Sequence, residues 1–247
     1  MPQLETLIIT LQFSISNRDV ERQLTHAPII APITLPNLHH LQFRGVSTYL
    51  EALVHWITTP RLKALYVTFS KQLTFSIPRL LRCIIAAENL GPSDGILEFN
   101  GEYAGVGVYH YQGANRCQLN IAVKCCHLDW QASSMAQISN SLSQILSAVE
   151  HLTLRHDVHS ESSEEHDDVD HTEWRKLLRP FGNVKTLRIQ EGLVKDLSHC
   201  LELGAGEPGL ELLPELQVLE YFGSGDAFTS FVDARRNAGR PVALFRL

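Results

Sequence analysis

The residues whose types and spacing could do chemistry sit in two places. Cys125-Cys126-His127, with Asp129 close by, brings a thiol and a base into one short stretch, the pair that nucleophilic catalysis by cysteine needs. Alternation along a strand puts Cys125 and His127 on one face and Cys126 on the other. No oxyanion device and no third group to orient the imidazole can be identified, so a core cysteine at a strand end is the stronger reading. The second place is HDVHSESSEEHDDVD, followed by His171. His156, His159, His166 and His171, with the carboxylates among them, are potential zinc or nickel ligands. Their spacing matches no recognised site, and no outer partner for any imidazole can be named. Such a composition cannot bury a core, so residues 156–171 read as a disordered acidic loop. GEYAGVG is glycine-rich but lacks the lysine and the strand–loop–helix setting of a phosphate loop, and reads as a β-turn region. The expectation is a protein without catalytic residues, bound metal or cofactor. An enzyme or metal-binding protein built on Cys125/His127 or the histidine-rich loop is the alternative.

The elements that position these residues follow from internal repetition. V-x-x-L-x-I at Val184, Leu187 and Ile189 comes after the turn-forming Gly182-Asn183. The pattern recurs as Leu4-Leu7-Ile9, Leu38-Leu41-Phe43, Leu62-Leu65-Val67, Val149-Leu152-Leu154 and Leu216-Leu219-Tyr221. Pro-x-Leu leads into three copies (LPNL, TPRL, LPEL), and MPQL opens the chain in the same way. Recurrence of this kind is the mark of a leucine-rich repeat strand. Between copies lie helical periodicities. Leu50, Leu53, Val54 and Ile57 fall at i, i+3, i+4 and i+7, with Ser47 or Thr48 as N-cap. Ile77-Pro78 opens a helix with Leu80, Leu81, Ile84 and Ile85 inward. Met135, Ile138, Leu142, Ile145 and Leu146 mark the next, and Trp174, Leu177 and Leu178 another, capped by Thr172. Helices are also expected over 17–26, 193–203 and 226–239, the last with Phe228, Phe231 and Val232 inward. Trp56, Trp130 and Trp174 read as core, as do Cys83 and Cys200.

The interval from Leu62 to Val149 is about three repeats long. Within it GILEF reads as a strand, and VGVYHY and QLNIAVKC are alternating stretches separated by Gly113-Ala114-Asn115. They form a hairpin, or QLNIAVKC is the next repeat strand. PVALFRL supplies a last strand. The architecture expected is one α/β leucine-rich-repeat solenoid over 1–247, with irregular long repeats, parallel strands on one face and helices on the other. Each unit would be stabilised by stacking on its neighbours.

Of the 247 residues 44% are hydrophobic and 19% charged, enough apolar material for a long core. A formal net charge of −6 disfavours non-specific nucleic-acid binding, which needs a basic face. No run approaches the length of a membrane span, and MPQLETLIIT is no signal peptide. Five cysteines without a C-x-x-C pair argue against a disulfide framework or structural zinc. The compartment expected is reducing, cytoplasm or nucleus.

LPNLHHLQF, TPRLKALYV, LDWQASSMAQI, TEWRKLLRPFGNVKTLRI, LPELQVLEYF and FVDARRNAGRPVALFRL together resemble the C-terminal repeat region of the fungal (basidiomycete) F-box proteins. The resemblance covers nearly the whole chain. It implies target recruitment by the repeats, within a family whose F-box docks a Skp-type adaptor of a cullin ubiquitin ligase. The first residues here already read as a repeat strand where the family carries its F-box, which puts adaptor docking in doubt. The asparagine of short repeats is also replaced, by Gln12, Val46, Ser70, Asp157, Gly192 and Ser224.

If the motif residues point into the core, those between them point out along the sheet. Arginine and aromatic side chains are the commonest binding anchors. Arg44, Tyr66, Arg155, Arg188 and Phe222 are therefore the expected contacts for a target protein.

Overall fold

Most copies of the apolar motif begin with the same turn. The motif's first residue donates its backbone N–H to the carbonyl three residues earlier: Leu38 to Leu35 (3.3 Å), Leu62 to Thr59 (3.3 Å), Val149 to Leu146 (3.1 Å), Val184 to Phe181 (3.4 Å) and Leu216 to Leu213 (3.0 Å). Pro36, Pro60 and Pro214 take the second position of this turn, where a φ already set near −65° suits the geometry. That is the physical content of Pro-x-Leu. The chain then runs straight into a strand. The next residues repeat a second bond: the N–H groups of Lys185 and Thr186 both reach the Glu150 carbonyl, and those of Gln217 and Val218 reach Lys185.

The structure is a computed structural model and describes residues 3–11, 32–70, 72, 74–86, 93–109, 118–157, 171–202, 211–223 and 226–247. Its strands are β1 (Thr6–Thr10), β2 (Ile33–Thr34), β3 (His40–Gly45), β4 (Ile57–Thr58), β5 (Ala64–Ser70), β6 (Asp94–Asn100), β7 (Tyr103–Tyr109), β8 (Gln118–Lys124), β9 (His151–Asp157), β10 (Thr186–Ile189), β11 (Val218–Tyr221) and β12 (Ala243–Arg246). The helices are α1 (Ser47–Trp56), α2 (Pro78–Ala86), α3 (Leu128–Ser141), α4 (Ser143–Leu146), α5 (His171–Leu178), α6 (Val194–Glu202) and α7 (Thr229–Asn237). A ten-stranded sheet runs β1-β3-β5-β8-β7-β6-β9-β10-β11-β12, and β2 and β4 form a small parallel pair of their own. This is an α/β fold with a mostly parallel central sheet.

Register carries the motif across the sheet. Leu7, Leu41, Leu65 and Leu119 are successive partners on one side, and Leu152, Leu187, Leu219 and Leu244 on the other. From β3 onward the motif residues are buried, and they join the inward residues of the helices in one core. Leu4, just before β1, is exposed, and Leu7 and Ile9 in β1 are half-buried, because this strand lies at the sheet edge. Neighbouring helices pack in pairs: α1 on α2, α3 on α5, α5 on α6, and α6 on α7.

The middle of the sheet departs from a uniformly parallel layout. β7 is antiparallel to both β6 and β8, so β6-β7-β8 is a meander whose order in space runs against its order in the chain. QLNIAVKC pairs on both sides. β8 is the hairpin partner of β7 and also the parallel neighbour of β5. GEYAGVG is a turn only at its start, where Gly101-Glu102 join β6 to β7; Tyr103–Gly107 belong to β7. Ala104, Val106 and Val108 point into the core and Gly105 and Gly107 to the opposite face. A Cβ at 107 would stand 2.8 Å from Ile96 Cγ2, so a larger residue there has to displace the Ile96 side chain.

Local expectations are corrected in several places. Neither Ser47 nor Thr48 caps α1. Val46 is the N-cap, and the Ser47 N–H is satisfied by the side-chain oxygen of Gln72 at 2.8 Å. Ile85 is exposed on α2, and Trp130 on α3 is 55% exposed while Trp174 is fully buried. Cys83 is only half-buried. Helix α5 begins at His171, so Thr172 lies inside its first turn, and α7 is shorter than 226–239. The helix expected over 17–26 and residues 158–170 of the acidic loop lie outside the described residues. At that loop's margins His156 and Asp157 belong to β9 and His171 to α5.

The closing FVDARRNAGRPV stretch is held from inside. The Arg235 side chain is 1% exposed and forms an ion pair with Glu211 at 3.1 Å. Its Nη1 donates to the Leu213 carbonyl (2.9 Å), and its Nη2 to those of Pro214 (3.0 Å) and Leu216 (3.1 Å). Arg240 pairs with the same Glu211 carboxylate. Leu213 has a φ of 52°, a left-handed conformation that costs a non-glycine residue about 1–2 kcal/mol. Arg235 ties this turn, which introduces β11, to α7. Burial pulls the Arg235 guanidinium below its ordinary pKa, and Glu211 works against that shift.

Candidate functional site

The face of the sheet opposite the core is built by alternation. A residue flanked by two buried motif residues points away from them, and the burial patterns follow this rule in strands such as β3, exposed–buried–exposed through His40, Leu41 and Gln42, whereas Gly105, Gly107 and Ala122 at the centre of this face are buried as well. Register turns these outward residues into rows. One row passes through Ile8, Gln42, Tyr66, Asn120, Gly107, Ile96, Thr153, Arg188, Glu220 and Phe245. The next contains Arg44, Thr68, Ala122, Gly105, Glu98 and Arg155.

All five expected contact residues sit where the spacing puts them, but in two groups. Arg44 on β3 and Tyr66 on β5 are neighbours across one strand pair. Arg155 on β9, Arg188 on β10 and Phe222 just past β11 form the second group, with Phe222 39% exposed. The β6–β8 meander separates the groups. Four strand spacings from β5 to β9 make roughly 19 Å. Arg44 and Arg155 are exposed and have no ion-pair partner among the described residues. Arg188 differs, because its Nη2 lies 2.6 Å from Glu220 on the adjacent strand. Its charge is answered within the sheet, so it presents a neutral pair rather than a cation.

Sequence reasoning missed what lies between the groups. Ile96, Glu98 and Asn120 occupy the middle of this face around Gly105 and Gly107. The alternation of GILEF and QLNIAVKC carried the information, but only known strand partners could place these residues on the same face. The exposed Trp130 was missed too. Its ring meets His127 edge-on at 5.4 Å.

Cys125 and His127 lie beyond the strand in different surroundings, and His159 and His166 lie outside the described residues. Strand β8 ends at Lys124, so the alternation argument stops before Cys125. His127 is the N-cap of α3 and is exposed, its ring turned to Trp130. The Cys125 carbonyl accepts from Gln131 Nε2 at 2.7 Å, a contact that fixes the loop. Burial, aided by Cys126, pushes the Cys125 thiol up to about 11, which keeps it protonated and a poor nucleophile. Burial likewise pushes Cys200 up to about 12. Among the described residues no three His, Cys, Asp or Glu side chains converge to hold a metal ion. None of the described helices is long and apolar enough to cross a membrane.

In comparisons with known proteins the chain matches no family model, no curated protein and no solved structure.

Proposed function

We propose that this chain is a non-enzymatic protein-binding module of leucine-rich-repeat type, similar in role to the target-recognition region of the fungal F-box proteins. One observation carries the reading: outward residues of the ten-stranded sheet fall into continuous rows, with arginine and aromatic side chains flanking a centre relieved by glycines. A broad, rigid face of this kind suits a folded partner better than a small molecule, and arginine and tyrosine are the residues that anchor such contacts. Arg44 and Tyr66 are assigned to one contact region and Arg155, Arg188 and Phe222 to the other. The partner is a target protein in the cytoplasm or nucleus. Adaptor docking is not part of the reading.

The test is a quantitative pull-down from fungal lysate with two baits, the native chain and an Arg44→Glu/Arg155→Glu/Arg188→Glu variant, beside an Arg236→Gln control. Proteins retained by the native and control chains and lost from the triple variant support the proposal. Identical recovery by all three baits overturns the assignment of the face. Direct recovery of a Skp-type adaptor by the triple variant would place docking elsewhere on the chain.

A further inference from the structure

The helical side of the molecule carries a cleft that the reading of the sheet face does not use. Its volume is about 440 Å³, and it lies between the end of α1, strand β4 with the following Thr59-Pro60, and one face of α2. The α2 residues lining it are Arg79, Arg82, Cys83 and Ala86. This i, i+3, i+4, i+7 set shares one helix face, while Leu80 and Ile84 on the other face are buried in the core. Two arginines one turn apart therefore line the same opening. His55 joins them from α1, and Val54 and Ile57 supply an apolar wall.

The charge arrangement is unbalanced. Among the described residues no carboxylate lines the cleft. Neither guanidinium has an ion-pair partner among the described residues, although the chain as a whole is acidic with a net charge of −6. One carboxylate is close by: Glu51 accepts the backbone N–H groups of Arg79 and Leu80 at 2.9 Å each, so it offsets part of the positive charge at the start of α2 without pairing with either guanidinium. Like charges one helical turn apart repel and cost a helix a few tenths of a kcal/mol. Arginine forks recognise planar or tetrahedral oxyanions through paired hydrogen bonds. A concave site of a few hundred Å³ with an apolar wall and few polar groups is the usual shape of a small-ligand site.

We infer that this cleft binds a small organic anion, with an oxyanion head held by Arg79 and Arg82 and an apolar body against Val54 and Ile57. The head is a phosphate or a carboxylate, which share the chemistry the arginines read. The site is independent of the sheet face, so failure of either proposal leaves the other standing.

Phenyl phosphate and phenylacetate serve as probes, with inorganic phosphate to test the head alone and benzyl alcohol to test the apolar body alone. Binding is followed on the full chain by chemical-shift changes of the arginine Nε–H groups and of the methyl groups of Val54 and Ile57. The expected result is saturable shifts with phenyl phosphate, phenylacetate or both, and little with benzyl alcohol. Arg82→Gln weakens binding about tenfold, the loss of one charge-assisted contact. Because Arg82 is exposed, the variant melts like the native chain. The Arg44→Glu/Arg155→Glu/Arg188→Glu variant binds the probes unchanged. Shifts with phenyl phosphate alone assign the head as phosphate, and with phenylacetate alone as carboxylate. Absence of saturable shifts with both probes, or equal binding by Arg82→Gln, overturns the inference. So does binding of benzyl alcohol as tight as that of the anions.

Discussion

Two adjacent arginines in the last helix face opposite environments, and the difference can be measured. Replacing Arg235 by methionine keeps an unbranched stem like that of arginine and removes the guanidinium. Glu211, whose side chain is 2% exposed, then keeps only Arg240, itself 34% exposed. Four backbone carbonyls, those of Leu213, Pro214, Leu216 and Arg240, lose their side-chain donor. Removing one partner of a buried ion pair costs about 3–5 kcal/mol, and retention of Arg240 offsets part of this. The Leu213 carbonyl also keeps the N–H of Leu216. A loss of about 3 kcal/mol follows, equivalent for a chain of this size to a fall in Tm of about 6–12 °C. Arg236→Met is the comparison. Arg236 is exposed and pairs with Asp233 at 2.8 Å in an i, i+3 contact, worth about half a kcal/mol or less. Urea unfolding followed by circular dichroism separates the two. Arg235→Met within about 1 kcal/mol of the native chain, or no more damaging than Arg236→Met, would refute the reasoning. Adding Glu211→Leu to Arg235→Met should recover part of the loss, because no buried carboxylate is left short of a partner.

Three further outcomes are expected. Gly107→Ala places a methyl against Ile96 Cγ2 and should cost about 1–3 kcal/mol by overpacking, read from the same unfolding curves. Glu51→Ala removes the acceptor at the first N–H groups of α2 and should cost about 1 kcal/mol, with Glu51→Gln losing less. Iodoacetamide at pH 8 should modify the exposed Cys126 well before Cys200, by peptide mapping, because the buried Cys200 thiol holds its proton to about 12. The unfolded thiol ionises near 9.0, so this group favours the unfolded state increasingly as pH rises from there toward 12. Rapid alkylation of Cys200 in the folded chain would contradict its burial.

Much of the fold was legible because its rules are local. Pro-x-Leu specifies a turn through the fixed φ of proline, and V-x-x-L-x-I then specifies which residues face inward, so both survive without knowledge of any partner. The meander was legible as strands, with a hairpin of the last two as one of two readings. Alternation in GILEF and QLNIAVKC identifies extended chain, but direction and neighbours are decided by contacts between distant segments, including the close approach that Gly107 permits. Arg235 was illegible for a different reason. Arginine is almost never fully buried, and the carbonyl ring that makes burial tolerable here comes from a turn some twenty residues earlier. On the candidate face the spacing identified which residues point outward. It could not show that Glu220 answers Arg188, since the two meet only through strand pairing.

The reversed order of β6, β7 and β8 also bears on how such a chain can change in length. From β9 through β12, order in sequence and order in space coincide. Another strand and its connection could be inserted there by moving its successors one place along. At the meander that freedom is lost. β8 must reach back to β5 while β6 stays beside β9, so an added strand would have to break pairings on both sides of the same piece of chain. Gain or loss of units during evolution should therefore concentrate toward the two ends of the sheet, leaving the three central strands constant in number.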